Sequence, residues 1–378
     1  MAQSITSVTP RSVRPGVATE LTVVGKGFDS TLRFLTRCNS QITIDSVEPE
    51  KAVIQFTVPS DAPLGSIGLW AATKAGPVPP VILLIDDLNV VSDSGKNHSF
   101  DTAQEIPPAI AIDGKSDGAS LDYYRMHVNQ NQWITIEALT QCLSSAMDPA
   151  IRLLDAQGKP ILLADDDGVG SECRFRHQFT SAGDYVVEIK DSGYASGGSY
   201  HLRIGDFPLV SHCFPLAVTQ GQEASVDVST FGKQVSKQRE VTVQNTVLDD
   251  DGNLAFRFKD GQASAWQSIH VSAAPQHTEG SGKSPLAYPV GINGRLLAAG
   301  EQDEYTIQGI KNETVRFRSK TRSLGSTALL NMQLVNDQDQ VVAESKVTDA
   351  DEWSFNFKFP ADGLFRLRTS DLLGRGGE

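Results

Sequence analysis

Apolar and polar residues alternate over short runs along most of the chain. Val23 and Val24, Ile42 to Ile44, Val53 to Val58 and Val81 to Ile85 are short apolar or β-branched stretches bounded by Gly, Pro, Asp or Ser. Runs of this kind predict strands. No stretch of about 12 or more residues carries a convincing 3.6 periodicity, so long helices are not expected. The fold class is therefore all-β, and short strands at this spacing predict tandem β-sandwiches. Two hairpins are legible. One turns at Gly158 between two apolar runs, and Ser181 to Asp184 joins Phe179 to the strand that starts at Tyr185.

The pattern is duplicated. Ile5 to Pro10, with Gly16 six residues on, is matched by Val210 to Pro215 with Gly221. Each opening leads into an alternating strand, Thr19 to Val23 and Ala224 to Val228. Asp122 to Tyr124 precedes Trp133 as Asp303 to Tyr305 precedes Thr314. At a nearly constant offset, Ile151 falls on Met332, Asp155 on Asn336, Gly183 on Gly363 and Asp191 on Asp371. The expected divisions are 1–91, 92–206, 207–276 and 285–378, with a polar Gly/Ser-rich linker at 277–284. The first long copy runs on through Ser199 to Ile204, its closing strand, whereas the second stops at Glu378 before any such strand. The second copy is expected to be cut before its last strand, as in a fragment of a longer protein, or to be completed by another strand. A missing strand leaves a sheet edge unpaired or a core face uncovered.

Composition narrows the function classes. Lys and Arg number 33 against 46 Asp and Glu, a net charge of −13 with neutral His. No Lys/Arg cluster offsets this, which argues against nucleic acid as a partner. No membrane span is expected. The apolar run Val78 to Ile85 is broken by prolines and falls far short of the roughly 20 residues a spanning helix needs. Met1 to Ser4 leads directly into a strand pattern, with neither a charged nor an apolar leader region. The four cysteines form no CxxC pair. Cys142 and Cys173 fall in one division and are candidates for a disulfide in an oxidising compartment. Cys38 and Cys213 read as separate buried thiols.

The modules resemble known families. Residues 1–91 resemble the IPT/TIG class of immunoglobulin-like domains, through Ile5, Val8, Pro10, Pro15, Gly16, Leu21 to Gly25, Gly27, Phe28, Val58, Pro59 and Gly65. Residues 92–206 resemble the bacterial pre-peptidase C-terminal (PPC) domain, a β jelly-roll. The matching positions are Asp122 to Tyr124, Asp148, Pro149, Ile151, Leu153 to Asp155, Gly158, Asp165 to Asp167, Ala182 to Tyr185, Gly198, Tyr200 and Leu202. Residues 285–378 resemble the same domain more weakly, and 207–276 resembles a shorter Ig-like domain in its opening strand. The resemblance implies the order Ig-like, jelly-roll, Ig-like, jelly-roll, and a secreted or cell-surface bacterial context. Fold-level analogy of this kind does not fix function.

Candidate chemistry is sparse. Asp165, Asp166 and Asp167, with Asp148 one strand earlier, could give Ca²⁺ several oxygen ligands at once. The same run also reads as a polar hairpin turn whose carboxylates bond their own backbone. Asp93, Asn97 and His98 resemble the acidic entry segment that carries calcium in related collagen-binding domains, but Gly95 and His98 depart from it. Asp249 to Asn253 reads as a turn. Ser192, in Lys190 to Gly193, has the look of a protease segment, yet nothing in the sequence supplies a base and an orienting group. Trp70, Trp133, Trp266 and Trp353 fall one in each division, as core residues would. The expected function is non-catalytic: adhesion, scaffolding or spacing outside the cell, with a protein or polysaccharide as partner. The alternatives are the accessory region of a secreted peptidase or glycosidase, and a carbohydrate-binding protein.

Overall fold

Among the described residues, strands account for nearly all the regular structure, with short 3-10 turns at Phe100–Thr102, Gln141–Leu143 and Arg322–Leu324. The computed structural model describes residues 3–36, 38–166, 172–194, 196–220, 222–230, 233–242, 251–257, 263–280, 285–346 and 352–376. Contacts divide the chain into two units. One comprises Met1–Ser211, Thr230–Gln234 and Gln244–Gln267, and the other His212–Ser229, Val235–Val243 and Ser268–Glu378. Segment 207–276 thus contributes to both.

In the first unit, one four-stranded sheet runs Ser4–Thr9, Thr19–Lys26, Lys51–Thr57, Gln41–Glu48. Its inward face follows from alternation: Leu21 and Val23 on one strand, and Ala52, Ile54 and Phe56 on the next, are fully buried. The sheet opposite contains Ser12–Val13, Gly76–Ile85, Gly65–Thr73 and Asp251–Arg257. Leu83, Leu84 and Ile85 are consecutive and all buried, so this strand end is covered on both faces. Both proline openings, Thr9–Pro10 and Phe214–Pro215, are cis.

A second sandwich follows in the same unit, made of two five-stranded sheets. Their orders are Gln104–Glu105, Asp122–Val128, Gly183–Asp191, Pro149–Leu154, Pro160–Asp165 and Cys173–Gln178, Trp133–Leu139, Ser196–Gly205, Ile110–Asp117, Val90–Ser92. Tyr124, Ile136, Ile151, Leu153, Val187, Leu202 and Ile204 fill the space between them. Leu139, Leu143 and Trp266 pack instead into the first sandwich's core, which ties the two sandwiches together. Gly114 lies opposite Tyr200 in the ladder, and a Cβ there would sit 2.0 Å from the buried ring. Gly114→Ala is therefore expected to cost about 1–3 kcal/mol through overpacking. A thermal melt unchanged by the substitution would refute this.

The second unit carries the weaker copy. One sheet runs Gln302–Gly309, Gly363–Asp371, Leu330–Val335, Val341–Glu344, and a separate pair joins Thr314–Arg318 to Ser354–Lys358. Phe317, Phe359, Phe365, Met332 and Leu334 form its centre. Gln276–Thr278 overlaps the expected linker but is a strand, because it finds a parallel partner in Gly291–Asn293. Residues 281–284 of that linker lie outside the described residues.

The two copies match in detail. Asp155 Oδ1 accepts the amides of Gln157 and Lys159, and Asn336 Oδ1 accepts those of Gln338 and Gln340. Each thus anchors the same hairpin turn from an aligned position.

Candidate functional site

The described part of the acidic run, Asp165 and Asp166, lies at the end of a strand. Asp148 precedes Pro149–Leu154, and Asp165 ends Pro160–Asp165 opposite Ala150. The Ser192 hydroxyl donates to Asp165 Oδ1 at 3.2 Å, and the Ser192 amide donates to the Asp148 carbonyl at 2.7 Å. Asp191 Oδ1 accepts the Gly193 amide at 2.8 Å. Ser192 therefore closes a turn against a carboxylate. Asp166 has φ 55°, a left-handed conformation that Asp tolerates. Asp167 lies outside the described residues. Among those described, no group of three or more His, Cys, Asp or Glu is arranged to hold a metal ion.

Cys142 and Cys173 are not joined. The two thiols serve different interiors. Cys173 is fully buried in the second sandwich's core, with Sγ 3.5 Å from the Ala164 carbonyl. Cys142 packs against the first sandwich's core. Cys38 and Cys213 are buried.

The entry segment belongs to a buried chain of oxygens. Tyr124 Oη lies 2.8 Å from Asp93 Oδ1 and 2.5 Å from Tyr200 Oη, which lies 2.6 Å from Asp122 Oδ2. Tyr200 donates to Asp122, whose carboxyl burial pushes up to about 6 against that hydrogen bond. His98 Nδ1 lies 3.2 Å from Asp122 Oδ1. Burial also pushes both tyrosines well up, so they stay neutral donors.

The densest constellation in the first unit was not visible in the sequence. Arg203 is fully buried and donates through Nε to Asp86 Oδ2 and through Nη1 to Glu137 Oε2, both at 2.7 Å. His201 bridges Asp113, 2.7 Å from Nδ1, and Asp86, 3.1 Å from Nε2. Glu137 Oε1 accepts the Trp266 amide at 2.8 Å, and Arg174 donates to the Trp266 carbonyl at 2.6 Å. The Arg11 amide donates to Asp113 Oδ2 at 2.7 Å. Phe207 lies under the guanidinium, 4.6 Å from ring centre to Cζ.

Three cations, Arg174, His201 and Arg203, thus meet three carboxylates. Burial alone would lower His201, but its hydrogen bonds to Asp113 and Asp86 outweigh it and hold the ring at about 9. Burial would likewise raise Asp86, yet Arg203 and His201 hold it far below the usual carboxylate range. Strand alternation did signal His201 and Arg203 as the polar face of Ser196–Gly205. It could not show that this face meets protein rather than water.

A second device recurs in both copies. Glu172 accepts the Thr140 and Gln141 amides at 2.8 Å each, and Glu352 accepts the Thr321 amide at 2.6 Å and that of Ser323 at 3.0 Å. Each carboxylate caps a 3-10 turn at an aligned position. Glu172 is the deeper, and burial pushes it up to about 7.

No family model matches the chain, and no curated protein matches it. Several solved structures are similar in part. The pre-peptidase C-terminal domain of a Bacillus anthracis collagenase is 19% identical over 27% of this chain and 93% of its own, with a TM-score of 0.23. The Bacteroides ovatus mixed-linkage glucan SGBP-B, in complex with a heptasaccharide, is 10% identical over 97% of this chain and 72% of its own, at 0.19. The Yersinia pseudotuberculosis adhesin InvE is 9% identical over 70% and 73%, at 0.18. Values this low carry no functional inference.

Proposed function

We propose that this chain is a non-catalytic scaffolding, adhesion or spacer segment of a secreted or cell-surface bacterial protein, presenting surfaces to a protein or polysaccharide. The observation that supports this reading is the network around Arg203. Its buried ionisable groups are spent on one another and hold two sandwiches in one arrangement. Catalytic groups instead face a cleft, with a nucleophile, a base and an orienting group in line. Ser192, the one residue with a protease-like neighbourhood in sequence, is held by Asp165.

The test is turnover against binding. The full chain is expected to leave panels of peptidase and glycosidase substrates intact, and to retain cell-wall polysaccharide or host surface protein on an array. Turnover abolished by Ser192→Ala would overturn the reading. Polysaccharide as partner is favoured by Tyr194, whose ring is 59% exposed with Lys190 Nζ 5.1 Å from its centre. Trp266 and Trp353 offer no such face, since both are buried.

Calcium at Asp148 and Asp165 to Asp167 is tested by melting. A cation that binds only the native protein raises its stability, so millimolar calcium is expected to raise the melting temperature and chelator to reverse the rise. An unchanged value removes calcium from the acidic run.

A further inference from the structure

We infer that the turn following Gly183–Asp191 binds an acidic sugar, a uronate unit of a polysaccharide, which stacks on Tyr194 and gives its carboxylate to Lys190. This deepens the polysaccharide form of the function proposed above and rests on it.

The two copies build this turn alike. The Ser192 amide donates to the Asp148 carbonyl at 2.7 Å, and the Tyr194 amide to the Asp191 carbonyl at 3.1 Å. In the second copy the Leu372 amide donates to the Leu329 carbonyl at 2.8 Å, and the Gly374 amide to the Asp371 carbonyl at 3.0 Å. The residue that closes each turn is left-handed, with φ 53° at Tyr194 and 63° at Gly374. Glycine takes this conformation freely, whereas a bulky side chain is strained in it. The first copy thus carries a tyrosine where the backbone favours glycine. Core packing does not repay the strain, because Tyr194 is 59% exposed. A strained residue with its side chain turned to solvent points to function.

The surroundings select the ligand. Lys190 Nζ lies 5.1 Å from the ring centre and 3.3 Å from Tyr194 Oη. Among the described residues, no carboxylate pairs with Lys190. Glu188, two residues earlier on the same strand, is held instead by Arg152 Nε at 2.6 Å. Arg152 stands opposite Leu163, which is 62% exposed, and its charge reaches Tyr194. The patch therefore offers an aromatic face with a cation at its edge. A pyranose ring carries C–H groups on its face and oxygens around its rim. The aromatic ring covers the first, and the ammonium takes a rim carboxylate in a charge-assisted hydrogen bond. A neutral sugar would use the ring alone, so Lys190 favours the uronate.

The probes are oligogalacturonate, oligoalginate and the neutral methyl ester of each, titrated into the full chain by calorimetry. Low salt preserves the charge contact, and chelator prevents calcium from bridging the acid to the Asp165 run. At least one acid is expected to bind about tenfold more tightly than its ester. Tyr194→Gly, which copies Gly374, weakens binding by about tenfold or more and leaves the melting temperature no lower, since the strain is relieved. A tyrosine with a structural role would lower it. Tyr194→Phe keeps affinity within about threefold, because the stacking face remains. Lys190→Gln removes the preference for acid over ester and leaves affinity for the ester unchanged. Equal affinity for acid and ester, or binding unmoved by Tyr194→Gly, overturns the proposal. Failure of both acids to bind overturns it too. In that case a neutral glycan or host protein retained on the array leaves the scaffolding role standing without this site.

Discussion

Replacing Arg203 with alanine is expected to destabilise the first unit by about 3–5 kcal/mol, the cost of breaking a buried ion pair from one side. Asp86 and Glu137 both receive the guanidinium and are themselves buried, at 0% and 1% exposure. Removing it leaves two carboxylates in an apolar interior, where an uncompensated charge is costly. His201 relieves Asp86 only in part, since its other nitrogen is committed to Asp113. Arg203→Lys is not expected to rescue the loss. A single ammonium cannot reproduce the planar fork that reaches Asp86 and Glu137 in different directions while lying over Phe207. Urea unfolding of the full chain, followed by a probe in the first unit, checks this. A loss under about 1 kcal/mol would mean that water enters the network and screens it.

The second large effect is on pH. His201 is held at about 9 in the folded chain against 6.5 unfolded. Its stabilisation is complete below pH 6.5 and is lost as pH rises through 9. Glu172 titrates at about 7 folded against 4.5 unfolded, because burial disfavours its charge. The folded state therefore holds more protons than the unfolded one between pH 4.5 and 7, and stability falls across that window too. Each shift corresponds to about 3 kcal/mol at 1.36 kcal/mol per unit. Asp122, raised to about 6 from 3.8, acts in the same direction. Asp86 acts oppositely: its contribution is complete above pH 3.8 and is lost as pH falls below. Stability of the first unit is thus expected to peak near pH 4.5 and to decline steadily to pH 9. Denaturant midpoints at pH 5, 7 and 9 measure it. His201→Gln should flatten the upper part of the decline and Glu172→Gln the lower. A midpoint that rises from pH 5 to 9 would contradict the assignment.

Alternation carried most of the fold. Thr19–Lys26 and Lys51–Thr57 are half-buried strands whose inward residues are those a period of two selects, and the aligned turns at Asp155 and Asn336 share one hydrogen-bond scheme. What escaped notice has a common cause. Glu137, His201 and Arg203 occupy positions that the period assigns to solvent, and only tertiary packing turns that face inward. Glu172 and Glu352 were equally hidden, since a carboxylate that caps a turn about thirty residues earlier leaves no local pattern. Cys142 and Cys173 were close enough in sequence to suggest a bridge, but register alone did not tell which interior each would enter. Asp165 ends a strand and accepts the Ser192 hydroxyl, a partner that no local pattern announced.

The joint between the two sandwiches of the first unit is wired from both sides. The Asp86 amide bonds the Val13 carbonyl, Asn89 bonds Arg14 and Ala111, and the Arg11 amide reaches Asp113. A foreign module grafted after residue 91 would arrive without Asp113, His201 or Arg203, and Asp86 would be left facing it alone. Shuffling of parts during evolution, or in the laboratory, is therefore constrained to move these neighbours as an inseparable couple. The heritable building block here is the pair, although each member has a hydrophobic interior of its own.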